Sequence, residues 1–330
     1  MYPLLELGIH RVACPIPYVQ AGGPANVYLI EEKDGGIALF DSGIGTPDGE
    51  KAVREGFAAL GYKFGDVRRI YLSHGHADHY GLAQTISEES KAPVYIHVAD
   101  RLKVERPAQE FKASRQAYRE YVTRLGVDYE NVRILEEVLS APHSVARPIE
   151  RTQPVNDGDV LDFKHFSAIV QHAPGHTPGL TCLYVEPHKL LFSDDHLLER
   201  VSPNPLLEVG PEGEATKFRS LVTYLKTLDM TRKLAVDLVL PGHNSPFTDH
   251  GRVIDGLLKF YDKRQTRILE RLGTGAANAV ELVQHLFPRV GMSELFLTLS
   301  EVVGNLEVLE DRGLVTRLPA DPIYRWALTR

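Results

Sequence analysis

The chain has 330 residues, of which 43% are hydrophobic and 25% charged, as in an ordinary soluble globular protein. Its net charge of −7 and pI near 6.1 argue against a basic protein that wraps duplex nucleic acid. The two cysteines give no disulfide framework, and no stretch approaches the ~20 apolar residues that span a bilayer. Residues 1–12 lack the apolar core of a signal peptide, so we expect a cytoplasmic protein without a membrane partner.

Two β-rich runs come first along the chain. Residues 26–31 and 37–41 are predicted as two strands, and Asp34-Gly35-Gly36 between them is a strong hairpin signal. Thr46 and Pro47 then predict the N-cap and the first turn of a helix. Strands and helices go on alternating, which predicts sheets covered by helices.

One loop carries four side chains that can bind a metal ion. It reads His74-Gly75-His76-Ala77-Asp78-His79, between a predicted strand over residues 69–73 and a predicted helix over 80–89. A strand that delivers histidines at i and i+2 points both imidazoles to one side. Asp78 and His79 fall in the first turn of the helix, so one loop could serve two metal ions. Chance would produce this pattern in about 10⁻³ of chains of this length, which makes surface histidines at a polar helix start the weaker interpretation.

A basic helical region follows. Residues 101–124 hold seven basic and three acidic side chains, a local reversal of charge on an acidic protein. This segment could hold an anionic substrate, although a solvated helix face is the simpler interpretation. After residue 156 the chain becomes β-rich, with antiparallel strands predicted over 160–163, 168–172, 181–185 and 190–193.

Three further loops carry polar residues at the ends of these strands. They are Ala173–Gly179 around His176, Ser193-Asp194-Asp195-His196, and Pro241-Gly242-His243-Asn244. With the first loop they give seven candidate ligands: His74, His76, Asp78, His79, His176, Asp195 and His243. Zn²⁺ takes His nitrogen and Asp oxygen, and a catalytic site keeps one position open for water. Three histidines could hold one ion, and a carboxylate with two histidines a second, with another carboxylate between them.

The character of the chain changes near Val253. A long helix is predicted to about residue 272, and helical runs are predicted over residues 278–287, 293–300 and 301–311. Two strands over 314–318 and 323–327 then form a predicted hairpin around Pro319–Pro322. Helices followed by a hairpin are typical of a winged-helix domain.

These motifs resemble those of the metallo-beta-lactamase superfamily, in the branch of glyoxalase II, lactonases and RNA-processing relatives. His-x-His-x-Asp-His at 74–79, Gly-His-Thr at His176, the strand-end acids and Pro-Gly-His at His243 stand in the family's order. The resemblance implies an α/β fold, a four-layer αββα sandwich over residues 1–252 with a helical insertion at about 100–150. Residues 253–330 would form the winged-helix domain.

The resemblance also implies roles for individual residues. It assigns His74, His76 and His176 to a first metal, and Asp78, His79 and His243 to a second, with Asp195 as the bridge. The family usually has Gly before the bridging acid, where this chain has Asp194, so Asp194 stays open as the alternative bridge. Asp41 resembles the family's first acid, expected to orient a ligand imidazole, unless it only forms a turn. His172 and His196 flank the ligand loops and are candidates for lining the pocket.

The expected activity is hydrolysis of a thioester, ester or lactone by a metal-bridging hydroxide, with Asp78 accepting a proton. Two divalent ions are implied, with Zn²⁺ expected and Fe or Mn as alternatives. True β-lactamases of the superfamily usually have Cys at the bridging position, which argues against antibiotic hydrolysis. We expect an anionic acyl substrate, and the C-terminal part as a dimerisation or lid element, which leaves a homodimer open.

Two other functions stay open. The first is an endonuclease of single-stranded nucleic acid, disfavoured because residues 261–330 hold nine basic and nine acidic residues and are therefore neutral. The second, less favoured, is a mononuclear iron persulfide oxygenase.

Overall fold

The computed structural model describes residues 4–17, 22–140, 144–203, 205–289, 291, 294–319 and 322–330. The strands are β1 (Ile9–Cys14), β2 (Ala25–Glu31), β3 (Ile37–Phe40), β4 (Val67–Tyr71), β5 (Val94–Ile96), β6 (Thr152–Pro154), β7 (Val160–Asp162), β8 (Ser167–His172), β9 (Thr181–Val185), β10 (Leu190–Asp194), β11 (Glu208–Gly210), β12 (Gly213–Phe218), β13 (Leu238–Pro241), β14 (Val315–Leu318) and β15 (Arg325–Leu328). The helices are α1 (Pro47–Ala59), α2 (Ala77–Tyr80), α3 (Ala83–Ser90), α4 (Arg101–Glu105), α5 (Pro107–Arg124), α6 (Tyr129–Ser140), α7 (Ser220–Arg232), α8 (His250–Leu272), α9 (Ala279–Leu286) and α10 (Leu295–Asp311).

The chain divides into two compact units. The first comprises Met1–Pro107, Pro142–Pro203 and Thr231–Val253, and the second Ala108–Ala141, Asn204–Met230 and Ile254–Arg330. Residues 108–141 and 204–230, which the sequence analysis placed in the catalytic domain, therefore group with the C-terminal residues. The reason is a shared apolar cluster, in which Val122 and Leu207 join Leu306. Such long-range packing cannot be seen in local patterns.

Two sheets form the centre of the first unit. One has the strand order β1-β2-β3-β4-β5-β6, and the other β13-β10-β9-β8-β7. β3 to β6 pair in parallel, as do β10 and β13, whereas the other pairs are antiparallel. The parallel strands matter for function because their carboxyl ends meet at one edge of each sheet.

Strand β2 explains how the layers pack. Its residues are buried on both faces, and successive side chains of a strand point to opposite sides. Val27 belongs to an apolar cluster with Phe57 of α1, whereas Tyr28 belongs to the cluster that includes Phe192 of β10. The first sheet therefore packs on helices with one face and on the second sheet with the other.

Local signals in the sequence are confirmed at the start of this unit. β2 and β3 form the predicted antiparallel hairpin, with Tyr28 opposite Phe40. Thr46 is the N-cap of α1, since its Oγ1 accepts a hydrogen bond from the Gly49 N–H at 3.1 Å, and Pro47 occupies the first turn.

The second unit contains the predicted C-terminal helices and hairpin. α10 is one continuous helix, and β14 pairs with β15 in antiparallel register, with Val315 opposite Leu328. Ser293, Ala320 and Asp321, which fall in the predicted helical run and turn, lie outside the described residues. The winged-helix architecture and the division at residue 252 stay predictions. Within the described ranges, none of the helices is long and apolar enough to cross a membrane.

Candidate metal centre

Four of the polar residues lie at or just after the carboxyl ends of parallel strands in the first unit. Asp41 follows β3, and His74 comes shortly after the neighbouring strand β4. Asp194 ends β10, and His243 comes just after its parallel neighbour β13. His176 lies on the loop between β8 and β9. The topology thus brings together segments that are far apart in the chain.

Three histidines form the first ligand group. His74 Nε2 and His176 Nε2 each lie 2.9 Å from His76 Nδ1. The rings of His74 and His176 stand at 80° and 87° to that of His76, so three nitrogens converge on one region. The predicted convergence of residues i and i+2 is therefore present in the fold.

Asp78, His79 and His243 form the second ligand group. Asp78 Oδ2 lies 3.8 Å from His79 Nε2 and 3.6 Å from His243 Nε2. Both ring nitrogens are buried and have no hydrogen-bond partner among the described residues. The other nitrogen of His243, Nδ1, lies 3.2 Å from the Gly23 carbonyl oxygen, which fixes the ring.

The carboxylate of Asp195 lies between the two groups. Its Oδ2 is 3.5 Å from His176 Nε2 in the first group and 3.6 Å from His79 Nε2 in the second. Its Oδ1 is 3.5 Å from His243 Nε2. This oxygen is buried and has no hydrogen-bond partner among the described residues. All seven predicted side chains are thus neighbours.

The donor atoms fit divalent metal ions. Zn²⁺ binds His nitrogen and carboxylate oxygen at about 2.0–2.2 Å, which sets tetrahedral ligand atoms about 3.4 Å apart. The distances that Asp78 and Asp195 make to the histidines, 3.5–3.8 Å, are close to that spacing. Buried polar atoms normally have partners, so the partnerless atoms of His79, His243 and Asp195 indicate that a ligand completes them.

Asp41 contacts His79 of the second ligand group on the ring nitrogen that points away from the site. Its Oδ2 lies 3.1 Å from His79 Nδ1. It also accepts hydrogen bonds from the backbone N–H of Ser73 at 2.8 Å and from its hydroxyl at 2.9 Å. The backbone of Asp41 has a φ of +63°, which is rare for a residue other than glycine. The contacts of its side chain stabilise this conformation. The expected orienting role agrees with this geometry.

The pKa values of the site histidines are shifted because several charged side chains lie close together in a buried region. Burial disfavours a charged His79 ring, but the carboxylates of Asp194, Asp78 and Asp195 outweigh burial and raise its pKa well above the usual value. Burial likewise opposes a charged His243, yet Asp195 raises the pKa of His243 to about 9. The pKa of His76 falls well below its usual value because of burial and the neighbouring His74 and His176. The second group therefore attracts positive charge, as a cation site does.

Asp100 is a residue of this site that the sequence analysis missed. Its buried carboxylate accepts hydrogen bonds from the N–H of Gly75 and of Gly179, both at 3.0 Å, and from the Thr177 hydroxyl at 2.6 Å. It therefore ties the loop of His74 and His76 to the loop of His176. A signal was available in the sequence, because Asp100 stands four residues after the apolar run Val94-Tyr95-Ile96, which forms β5.

The two flanking histidines have other contacts. The His172 ring stacks on His97 with centroids 3.9 Å apart, and its Nε2 lies 2.8 Å from the Pro178 carbonyl oxygen. His196 is fully buried, with Nε2 at 2.7 Å from the Thr231 hydroxyl. Burial lowers the pKa of His196 to about 4.

Comparison with known proteins agrees with this geometry. Residues 21–243 match the family model of the metallo-beta-lactamase superfamily. The chain belongs to the metallo-beta-lactamase superfamily. The probable metallo-hydrolase YqjP of Bacillus subtilis is 28% identical over 308 residues, which is 92% of this chain and 93% of that protein. The acyl-coenzyme A thioesterase MBLAC2 of Homo sapiens is 25% identical over 239 residues, 70% of this chain and 76% of that protein.

Solved structures agree as well. The metallo-beta-lactamase family protein TTHA1429 of Thermus thermophilus has a TM-score of 0.80 and 29% identity, over 97% of this chain and 98% of that one. A beta-lactamase domain protein of Burkholderia ambifaria has a TM-score of 0.77 at 22% identity, over 97% and 92%, and supports the fold alone. The predicted superfamily and its αββα fold class are confirmed, and with them the assignment to metal-dependent hydrolases. The glyoxalase II and lactonase branch stays a prediction.

Proposed function

We propose that this metallo-hydrolase uses two metal ions to hydrolyse acyl thioesters, with esters and lactones as related substrates. The observation that carries the proposal is the position of Asp195, 3.5 Å from His176 and 3.6 Å from His79. A carboxylate there can serve two cations, because it has two oxygens and a negative charge to share. His74, His76 and His176 would hold one ion, Asp78, His79 and His243 would hold the other, and Asp195 could contribute to both.

Imidazole and carboxylate ligands suit Zn²⁺, with Fe or Mn as alternatives. When bound, the ions supply a water activated at neutral pH and polarise the scissile carbonyl. The tasks of the protein's own side chains follow from their exposure. Asp78 keeps 14% of its side chain exposed, whereas His79 and His243 are buried. One Asp78 oxygen faces the two rings, which leaves the other to accept the proton of the attacking water and pass it to solvent.

The acyl thioester is favoured among substrates by the relatives. MBLAC2 of Homo sapiens and of Gallus gallus, both named acyl-coenzyme A thioesterase, match 70% of this chain. A thiolate is a better leaving group than an alkoxide, so the reaction depends less on protonation of the leaving group. The neutral charge of residues 261–330 continues to disfavour the nuclease.

The basic segment is a weaker candidate for the anionic end of the substrate. Within the second unit, Arg115 and Arg119 both donate to the carboxylate of Glu136, at 2.8–3.0 Å. Because Glu136 is buried, these contacts satisfy a charge of the protein itself. An anionic acyl substrate stays part of the proposal, but these two guanidinium groups do not carry it.

The test combines metal analysis with a substrate panel. Elemental analysis of purified protein is expected to give two divalent ions per chain, and an acyl-CoA is expected to be cleaved faster than lactones or labelled RNA. Chelation should abolish the activity, and Zn²⁺ should restore it. D195A should lose metal and activity, whereas D237A, at an exposed position, should retain both. One iron per chain with oxygen uptake would support the oxygenase, RNA cleavage the nuclease, and absence of bound metal would overturn the proposal.

A further inference from the structure

Asp194 stands where a side chain is costly in two ways. Its φ is +46°, in the left-handed region that favours glycine. Its carboxylate is also fully buried, which is unfavourable for a charge without partners. An aspartate that persists under both conditions is expected to make contacts that repay them.

Those contacts reach one histidine of each ligand group. Asp194 Oδ1 lies 3.1 Å from His74 Nδ1, and Oδ2 lies 3.4 Å from His79 Nδ1. Oδ1 also accepts the N–H of Asp195 at 2.8 Å. The ring nitrogens in question are those that point away from the converging atoms of the site. An imidazole that binds a metal through Nε2 carries its proton on Nδ1. Asp194 Oδ2 makes no hydrogen bond among the described residues, and the hydrogen bond of His79 Nδ1 goes to Asp41, so Asp194 acts on this ring through the proximity of its charge.

The neighbouring acceptors each serve one ring. Ser73 Oγ lies 2.9 Å from His74 Nδ1, and Asp41 Oδ2 lies 3.1 Å from His79 Nδ1. Among the contacts described for these two rings, the Asp194 carboxylate is shared by both. The geometry therefore separates Asp194 from the residues that hold a single ligand.

The facing turn is shaped to admit this carboxylate. A Cβ added to Gly242 would lie 2.9 Å from Asp194 Oδ2 and 2.5 Å from Asp195 Oδ1. Both distances are too short for a real side chain, so only glycine lets the backbone approach the pair of acids. The glycine that precedes His243 thus leaves room for the carboxylates of Asp194 and Asp195.

We propose that Asp194 is a positioning residue that fixes the ring orientation of His74 and His79 together and so couples the two metal positions. This inference rests on the proposed two-metal function. The contacts described between Asp194 and the two histidines are at Nδ1, away from the converging Nε2 atoms, so we infer that it acts through the histidines. Its removal weakens the binding of both ions, and Ser73 and Asp41 keep that loss partial.

The test compares D194G and D194N with K189G. Lys189 has a φ of +47° and an exposed side chain, so K189G gives the same relief of backbone strain away from the site. Zn²⁺ is titrated in competition with a chromophoric chelator, which yields the affinity of each ion. Co²⁺ titration reports the coordination geometry by its visible absorption bands.

D194G is expected to fold, with a melting temperature of the metal-free protein at or above that of the parent. Its affinity for both ions is expected to fall about 10–100-fold, with altered Co²⁺ bands. Asparagine can adopt the same left-handed backbone conformation, and its side chain keeps one acceptor oxygen. D194N should therefore lose less affinity than D194G for both ions. K189G should bind as the parent does. If D194G does not fold, the affinities of D194N decide whether binding of both ions is weakened or unchanged.

Unchanged affinities in D194G and D194N would overturn the inference, and so would a loss confined to one ion. A parent protein that binds fewer than two ions would instead refute the proposed function. The two failures are therefore distinguishable.

Discussion

Replacing Asp100 with alanine tests how the two loops of the first ligand group are held together. The substitution removes the acceptor of three buried donors, the N–H groups of Gly75 and Gly179 and the hydroxyl of Thr177. Each buried donor without a partner costs about 1–3 kcal/mol. Because water can enter the space left by the carboxylate, we expect a total near the lower limit, about 3–5 kcal/mol. The midpoint of thermal unfolding should fall by roughly 10 °C.

The loss should also be selective in metal binding. Asp100 touches the backbone beside His74, His76 and His176 but is not described in contact with Asp78 or His243. D100A is therefore expected to weaken the ion held by the three histidines and to leave the other nearly unchanged. Denaturant unfolding of the metal-free protein and chelator competition measure the two effects. D237A is the matched control, since its carboxylate is exposed.

A loss of stability below about 1 kcal/mol in D100A would refute this reasoning, because the three donors would then be satisfied without the carboxylate. An equal loss at both ions would refute the selective part.

Two further predictions concern charge. R119Q removes two of the hydrogen bonds to the buried Glu136, so it should lower the free energy of unfolding by about 1–2 kcal/mol and leave the KM for an acyl-CoA unchanged. Burial and the stacked ring of His172 lower the pKa of His97 in the folded state, so the unfolded chain binds the proton more readily. His97 therefore lowers stability as the pH falls below about 6.5. H97N keeps an acceptor for the Ala99 N–H, which the His97 ring accepts at 3.3 Å, and it should show a shallower loss of stability between about pH 7 and pH 5.

Each of these has its own contrary result. A raised KM with unchanged stability in R119Q would return the basic segment to the role of substrate contact. Parallel stability curves for H97N and the parent would show that His97 is not the group that titrates. Conservative R119K, which retains the charge, is the control for the first, and H188N, at an exposed histidine, is the control for the second.

Several features of this protein follow from its sequence because their causes are local. The hairpin of β2 and β3 is set by Asp34-Gly35-Gly36, and the start of α1 by Thr46. The candidate ligands were also visible, because the spacing of His74 and His76 at a strand end is unusual and chemically specific. Recurrence of such junctions in the family's order was enough to predict the superfamily.

What the sequence by itself determined, then, is which residue types stand at the strand ends and which superfamily they indicate. It left Asp194 and Asp195 open as alternatives for the bridging acid, because two consecutive aspartates have the same chemistry and the sequence does not show which way each carboxylate points. In the tertiary structure the two acids differ in position: the Asp194 carboxylate lies beside Nδ1 of His74 and His79, and the Asp195 carboxylate lies beside Nε2 of His79 and His176. That Asp195 bridges the two ions stays a proposal. Asp100 and the partners of Arg119 were likewise decided only in three dimensions. Their contacts depend on how segments that are far apart in the sequence pack together, and no local sequence pattern shows that packing.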